Sequence, residues 1–522
     1  MKVQTFMGGV AILFVAGVVA KILGAIFRIP LTWVLGAEGL GVYQLIYPVF
    51  ALLIVLSSSG MPTAISKMVA ERQQDGDPLN ARKIFRVSLG VMSVVGLAFS
   101  ALLVIFAGEI ASLQGNSLGA LGYIGIAPAV FFVSILSAFR GYFQGCSNMT
   151  PTALSQIIEQ GAKLIFGLLF AYLLIDKGIE YGTFGALLGV TVSEILAVCI
   201  LAIIYLKDKK KQQKTTSHSI FHSIKYSEIL RDLVKTALPI VTASITLPLL
   251  VMIDSFMVVN LLLSAGFNEL KATKMWGIDS GVVNSLINMP IALTLAVAIS
   301  IVPSVASLKD KGKVRERLGQ ANFLVILFCL PIVVAFVTTP QSLMQFLYSE
   351  SLGGQNYTNL ASSLLVCSSP IILLGALLQV QNSSLQGLGY GKITMLNMLL
   401  AGGLKIGLTF LLVTIPEINI FGCVISSLAF YGFAFLANQI FIRKKLGYRF
   451  SFKRALPSML GSMGVALTLL NFNLLHISIY IVLPLAYITA CIVYIFALWA
   501  FGVDFSEIKR FRLKRMKRVH TE

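Results

Sequence analysis

Three observations predict an all-α integral membrane protein. Of the 522 residues 57% are hydrophobic and only 12% charged, apolar runs long enough to cross a bilayer recur from end to end, and the cations gather in alternate connecting segments. A soluble chain could not hide that much apolar surface in one core. The runs place fourteen transmembrane helices at approximately 8–35, 40–65, 84–107, 121–143, 150–175, 183–206, 237–263, 280–306, 318–338, 358–383, 392–414, 420–442, 455–473 and 477–502. The expected organisation is two pseudo-symmetric six-helix lobes, 1–206 and 237–445, joined by a basic amphipathic connector at 207–236. Two further helices follow within 446–503, then a basic tail at 504–522.

The first run, Gly8 to Leu35, sets the chemistry. At ~1.5 Å rise per residue it reaches about 42 Å, beyond the ~30 Å hydrocarbon core. It carries Lys21 and Arg28, seven residues apart and therefore on nearly one azimuth of the helix. A charge near mid-bilayer costs at least ~3 kcal/mol, so a cationic stripe implies a polar cavity or an anionic partner; for Arg28 the plainer alternative is snorkelling beside Pro30 and Trp33. The internal charges, the lack of an Ala-x-Ala site and the many similar spans that follow argue for a retained helix and against a cleaved signal peptide.

The turn at Gly36-Ala37-Glu38-Gly39-Leu40-Gly41 keeps the first two helices adjacent, and the second meets a Ser57-Ser58-Ser59-Gly60-Met61-Pro62 cluster that can bend it. Arg140 lies at the end of the fourth helix. Thr150-Pro151 opens the fifth, in which Glu159 and Lys163 are spaced to neutralise each other across one turn. Glu194 lies inside the sixth with no evident local partner, so it faces protein or water. The connector after it (SIFHSIKYSEILRDLVK) is expected along the membrane surface. In the seventh helix Asp254 is either a counter-charge to Lys21 or Arg28 or a carboxylate capped by Ser255 and Thr246. Asn284 and Asn288 precede Pro290 in the eighth.

The halves resemble each other. Gln144-Gly145, Thr152, Gly161 and Lys163 recur as Gln386-Gly387, Thr394, Gly403 and Lys405 at a constant offset of 242. Six helices per repeat gives both copies one orientation, with a substrate path expected between the lobes. Helices 13 and 14 fall outside the repeat and hold no Lys, Arg or Glu beyond Ala455, which suits a lipid-facing appendage.

The formal charge of +19 is topological. Of 41 Lys and Arg, 34 fall on the segments assigned inside, Lys177, Lys271 and Lys274 outside, and Lys21, Arg28, Lys163 and Lys405 within the spans. This places both termini in the cytoplasm and leaves a nucleic-acid partner without support. The six cysteines have no CxxC or metal spacing. The histidines (His218, His222, His476, His520) form no intramembrane acid pair, and no GxxxxGK[ST] is present. No enzyme, cofactor or metal site is expected; transport must draw on H+, Na+, the membrane potential or the substrate's own gradient.

The strings AKILGAIFRIPLTWVLGAEGLGVYQLIYP, SSGMPTAISKMVAE, FRGYFQGCSNMTPTALSQIIEQ and NMPIALTLAVAISIVPS resemble the polysaccharide-biosynthesis branch of the multidrug/oligosaccharidyl-lipid/polysaccharide exporter superfamily, and the likeness spans essentially the whole chain. The resemblance implies a flippase of the bacterial cell membrane. It would move undecaprenyl-diphosphate-linked glycan or peptidoglycan precursors outward by alternating access for spore-cortex synthesis, with cortex-synthesis proteins as possible partners beside membrane lipids. The superfamily's lipid II flippases carry a first-helix motif that falls on Ala20-Lys21-Ile22-Leu23-Gly24, an Arg-Asp that falls on Phe27-Arg28, and cavity arginines that fall on Ile54 and Ser285. The residues expected at the substrate are Lys21, Arg28, Arg140, Asn284 and Asn288. Those expected in ion coupling or as counter-charges are Asp254, Glu159, Lys163, Glu194 and Lys405. The alternatives are a cation-coupled drug antiporter of the same superfamily, which the acids favour, and a non-transporting scaffold, which would tolerate neutral residues at Lys21 and Arg28.

The orientation is open to direct test. In a Cys-free background, single cysteines at Gly36 or Gly353 should react with an impermeant maleimide in intact cells, and cysteines at Gln212 or Lys311 should react only after permeabilisation. Labelling at Gln212 in intact cells would invert the topology.

Overall fold

The computed structural model describes residues 6–213, 224–308, 310–348, 351–450, 452–473, 478–501 and 503. All four histidines, the centre of the basic connector and most of the C-terminal tail lie outside the described residues. Every regular element among the described residues is helical, and the chain divides into two compact units. Unit 1 comprises 1–289, 350–357 and 402–426; unit 2 comprises 290–349, 358–401 and 427–522.

Twelve described helices are long and apolar enough to cross a membrane, thirteen if the bent pair Gln355–Ser368 and Pro370–Gly387 is one span. The protein is therefore a multi-pass membrane protein. The first span, Ala11–Gln74, covers both of the first two expected helices. Its main helix α1 (Phe6–Ser58) breaks at Gly36, whose φ of 66° and ψ of −176° lie outside helical values and suit only glycine. Gly353 shares a positive φ, so the exposed Asn356, in the first turn of the helix that follows, reports the same end of the span with less strain when replaced by cysteine. The serine cluster behaves as its residues suggest. α1 stops at Ser58, the Ser57 and Ser58 hydroxyls donate to the Ile54 carbonyl at 3.3 and 2.6 Å, and α2 (Met61–Gln74) restarts with Pro62 in its first turn.

Unit 1 continues with α3 (Pro78–Ile105), α4 (Ala107–Leu113), α5 (Gly119–Gly145), α6 (Thr150–Leu174), α7 (Ile179–Gln213), α8 (Tyr226–Ser244), α9 (Thr246–Ser264) and α10 (Glu269–Trp276). The connector's helix α8 runs on to Ser244, so the seventh span begins at Thr246 and not at 237. Its Ile229, Leu233 and Ala237 are buried in a core shared with Ile65, Phe85, Phe139 and Phe143, while Leu230, Val234 and Leu238 remain exposed. One face is thus anchored to the bundle and the other is free to meet lipid. After α10 one wide π-turn, Gly277–Val283, leads into α11 (Asn284–Ala306). It lies against α1, where glycine is obligatory at two points. A Cβ on Gly41 would stand 2.2 Å from the Thr273 carbonyl oxygen, and one on Gly277 would stand 2.1 Å from that of Ala37.

In unit 2, α12 (Lys311–Thr338) is followed by α13 (Pro340–Tyr348), α14 (Gln355–Ser368), α15 (Pro370–Gly387), α16 (Gly391–Val413), α17 (Phe421–Leu446), α18 (Phe452–Asn473) and α19 (Ile479–Ala500), with parts of α14, α16 and α17 belonging to unit 1. α19 buries Ala486, Ala490, Tyr494 and Leu498 against Ala335, Val465 and Leu469. The Tyr494 hydroxyl bonds Ser458 and the Leu327 carbonyl, each at 2.7 Å. Its opposite face exposes Ile481, Leu485, Ile488, Ile492 and Phe496, a surface suited to acyl chains.

The close approach at Gly277 predicts that Gly277→Val destabilises the protein by more than the ~1–3 kcal/mol typical of overpacking, because backbone must move, and the loss is read as a lower melting temperature in detergent. Gly161→Ala, with open space around the added methyl, should be neutral or stabilising.

Candidate functional site

Three polar clusters lie within the apolar bundle of unit 1. The first surrounds Arg28, which is half-buried and donates through Nη1 to the Ser285 hydroxyl at 2.7 Å; Ser285 donates onward to the Gly281 carbonyl. The π-turn sets Ser285 there, and Gln44 of α1 fastens that turn by donating to the Ser280 carbonyl at 2.6 Å. Arg28 therefore points into protein and does not snorkel. Asn284 and Asn288 stand on the same side of the same element. The Asn284 amide donates to Asp279 Oδ2 at 3.5 Å, and Asn288 is exposed and donates to the Asn284 carbonyl at 2.7 Å. Lys21 is exposed one turn pair earlier on α1 and is not drawn into this cluster.

The second cluster corrects an expectation. Glu159 pairs with Arg140, not with Lys163: Arg140 Nη2 meets Glu159 Oε2 at 2.7 Å and Arg140 Nε donates to Ser155 at 3.0 Å. A guanidinium arriving from α5 offers two directed donors, and it displaces the weaker one-turn pairing along α6. Lys163, buried at 8% exposure, instead sits over the Tyr47 ring at 4.7 Å and the Phe27 ring at 5.3 Å, with Tyr47 Oη 3.4 Å away. Tyr43 stacks on Tyr47 and shares the lysine's electrostatic surroundings with Arg28. Glu194 is 5% exposed, and its Oε2 has no hydrogen-bond partner among the described residues. It lies in the field of Glu159, Arg140 and Lys163.

The third cluster corrects a second expectation. Asp254 is neither opposite Lys21 or Arg28 nor capped by Ser255: it forms a short ion pair with Lys405 of α16. The Ser255 hydroxyl is engaged elsewhere, donating to the Met252 carbonyl at 2.7 Å and accepting from Gln114 at 3.1 Å. A buried second acid, Asp279, shares the electrostatic surroundings of this pair. Sequence reading passed over Asp279, although an acid at the start of an apolar run and five residues before Asn284 was the available signal. It also gave Tyr43 and Tyr47 no role and marked Ser285 only as a position where relatives carry an arginine, since nothing in a hydroxyl's local sequence announces a cation from another helix. No cluster of metal-ligating residues is present among the described residues.

A family model described as polysaccharide biosynthesis protein matches residues 6–309. Stage V sporulation protein B of Bacillus subtilis (strain 168) is 30% identical over 431 residues, covering 82% of this chain and 81% of the relative. Lipid II flippase MurJ of the same organism is 24% identical over 494 residues, covering 89% and 88%. Among solved structures, lipid II flippase MurJ in an inward closed conformation superposes with a TM-score of 0.68 at 15% identity, covering 95% of this chain and 99% of that one. An inward-facing multidrug resistance MATE family transporter of the MOP superfamily gives 0.63 at 17% identity, covering 82% and 94%. These structures share the fold.

Removing one partner of a buried ion pair costs about 3–5 kcal/mol, more than the pair itself contributes. Asp254→Asn or Lys405→Met alone should therefore lower the detergent melting temperature strongly. The exchange Asp254→Lys with Lys405→Asp should recover part of the loss, and Asp254→Lys with Arg28→Asp should recover none. Rescue by the Arg28 exchange would return Asp254 to the first helix.

Proposed function

The chain belongs to the polysaccharide biosynthesis protein family, and from that premise we propose that it is a flippase for an undecaprenyl-diphosphate-linked glycan or peptidoglycan precursor. Its relatives are named for sporulation and for flipping lipid II, which supports a transporter, not an enzyme. The reading extends to outward movement by alternating access across the bacterial cell membrane, with cytoplasmic termini and a role in the spore cortex.

The observation that carries the proposal is the environment of Arg28. Its one hydrogen bond among the described residues is to a neutral hydroxyl, at a depth where a guanidinium calls for an anion. Ser285 is moreover the position on which a cavity arginine of the lipid II flippases falls. Arg28 brings a cation to Ser285 from α1, which supports the reading that the charge for a diphosphate is kept although the residue is changed. Arg140 is less available, because an incoming phosphate would have to displace Glu159. Lys21 is exposed along the approach and serves as a second contact. Coupling falls to the remaining ionisable groups: Glu194, Glu159 and Lys163 in one cluster, Asp254, Asp279 and Lys405 in the other.

The cation-antiporter reading draws on the same acids, but Glu159 and Asp254 are each neutralised by a basic partner. Glu194 and Asp279 form no ion pair among the described residues, so this reading rests on those two acids alone.

Loss of a charge-assisted hydrogen bond costs about 1.5–3 kcal/mol, or roughly tenfold to a hundredfold in affinity. Arg28→Ala should lower retention of an undecaprenyl-diphosphate sugar by that factor and abolish its translocation in proteoliposomes, with folding intact. Arg28→Lys should restore binding in part. Unchanged translocation by the Lys21→Ala, Arg28→Ala double variant would sink this site, and gradient-driven export of a cationic dye would favour the antiporter.

A further inference from the structure

A separate cavity lies wholly within unit 2, and none of the residues lining it belongs to the three clusters. It measures about 310 Å3 and is formed where the first turns of α12 meet the segment between α17 and α18. Arg315, Arg449 and Arg454 stand around it with a single carboxylate, Glu316, which accepts from Gln320 at 3.2 Å. None of the three arginines is ion-paired among the described residues; Arg315 donates only from Nε, to the Lys311 carbonyl at 3.3 Å. Three guanidiniums against one carboxylate leave the rim cationic by two charges.

The floor is polar and built. Asn322 is 3% exposed and donates through Nδ2 to the Tyr448 hydroxyl at 3.0 Å, while its Oδ1 has no partner among the described residues. Burial raises the Tyr448 phenol above its ordinary range, so it remains a neutral O–H with its own proton to donate. Gly319 completes the shape. A Cβ there would come within 2.6 Å of Arg454 Nη1, so the absence of a side chain lets that guanidinium lie over the helix. Solubility accounts for basic residues at a helix end, but not for a buried amide and phenol beneath them or for a glycine that seats one of them.

We propose that this cavity binds a phosphate-bearing anion, with an anionic membrane lipid headgroup as its source. Arginine forks suit phosphate oxygens, and the unpartnered Asn322 carbonyl suits a headgroup hydroxyl, so a glycerol-phosphate head answers both. The volume is at the small end for ligand sites, enough for a headgroup and too small for a lipid-linked oligosaccharide. The position agrees, since both rim segments flank membrane spans on the side that the charge distribution assigns to the cytoplasm. The site does not depend on the flippase reading and is tested without transport.

Delipidated full-length protein in detergent is given phosphatidylglycerol, phosphatidylcholine or, in a separate arm, inorganic phosphate. Bound lipid is read by native mass spectrometry and phosphate by thermal unfolding. Phosphatidylglycerol should be retained over phosphatidylcholine. Retention should fall at least tenfold in Arg449→Gln, Arg454→Gln and persist in Arg449→Lys, Arg454→Lys. Gly319→Ala keeps every charge and favours the helix, and by displacing Arg454 it should weaken retention about threefold, a loss that neither net charge nor misfolding explains. Stabilisation by phosphate that disappears in the same variants, without selective lipid retention, supports the anion site and assigns it to a soluble phosphate. Phosphatidylglycerol retention unchanged in the glutamine pair and in Gly319→Ala, or no selective binding in any arm, overturns the proposal.

Discussion

The constraint on which the rest of this structure depends is the cost of a charge in an apolar bundle. Inside a hydrocarbon slab water cannot rescue an unpaired ion, so each ionisable side chain must find a partner on a neighbouring helix or be exposed to a polar space. Three solutions are visible in one unit. Arg140 with Glu159 and Lys405 with Asp254 are full ion pairs between helices. Lys163 uses aromatic faces and a phenol. Arg28 has only a neutral hydroxyl. The order matters, because an anion entering this unit gains most where it competes with least.

The backbone serves this arrangement. Packing that brings Gly41 and Gly277 to carbonyl contact holds the π-turn against α1, and the turn in turn carries Asp279, Asn284 and Ser285 to their places. A π-turn widens the helix by one residue and re-aims the side chains beyond it, which is why such turns gather at functional positions. Arg28 meets Ser285 only because two stretches more than two hundred residues apart in sequence are held at this distance.

What the sequence made legible follows from which forces are local. Apolar run length is local, so the spans were found nearly where they stand, with the serine and proline break after Ser58. Pairing is not local. Glu159 and Lys163 satisfy the one-turn rule perfectly and still do not pair, because Arg140 on another helix offers better geometry. Half-symmetry pointed Asp254 across to the first helix, whereas Lys405, its true partner, was already marked by the repeat. The two lysines related by the offset of 242 behave alike in one respect: Lys163 meets Phe27 on α1 and Lys405 meets Asp254 on α9, the first helix of each expected half. What differs is the partner's chemistry, a ring in one case and a carboxylate in the other.

Depth then divides the cations into two kinds. At the span ends, Arg315, Arg449 and Arg454 cost little to keep charged, since solvent and headgroups are within reach, and their value lies in how they are grouped. Within the bundle, each cation must be stabilised by structure, and the helix that carries it is held accordingly. Arg140 and Lys405 are locked by acids that a ligand would have to displace, at the cost of leaving those acids buried and alone. Replacing the Ser285 hydroxyl at Arg28 leaves behind only a group that already donates to the Gly281 carbonyl. An anion entering this unit would therefore displace less at Arg28 than at Arg140 or Lys405, where it would have to break a buried ion pair.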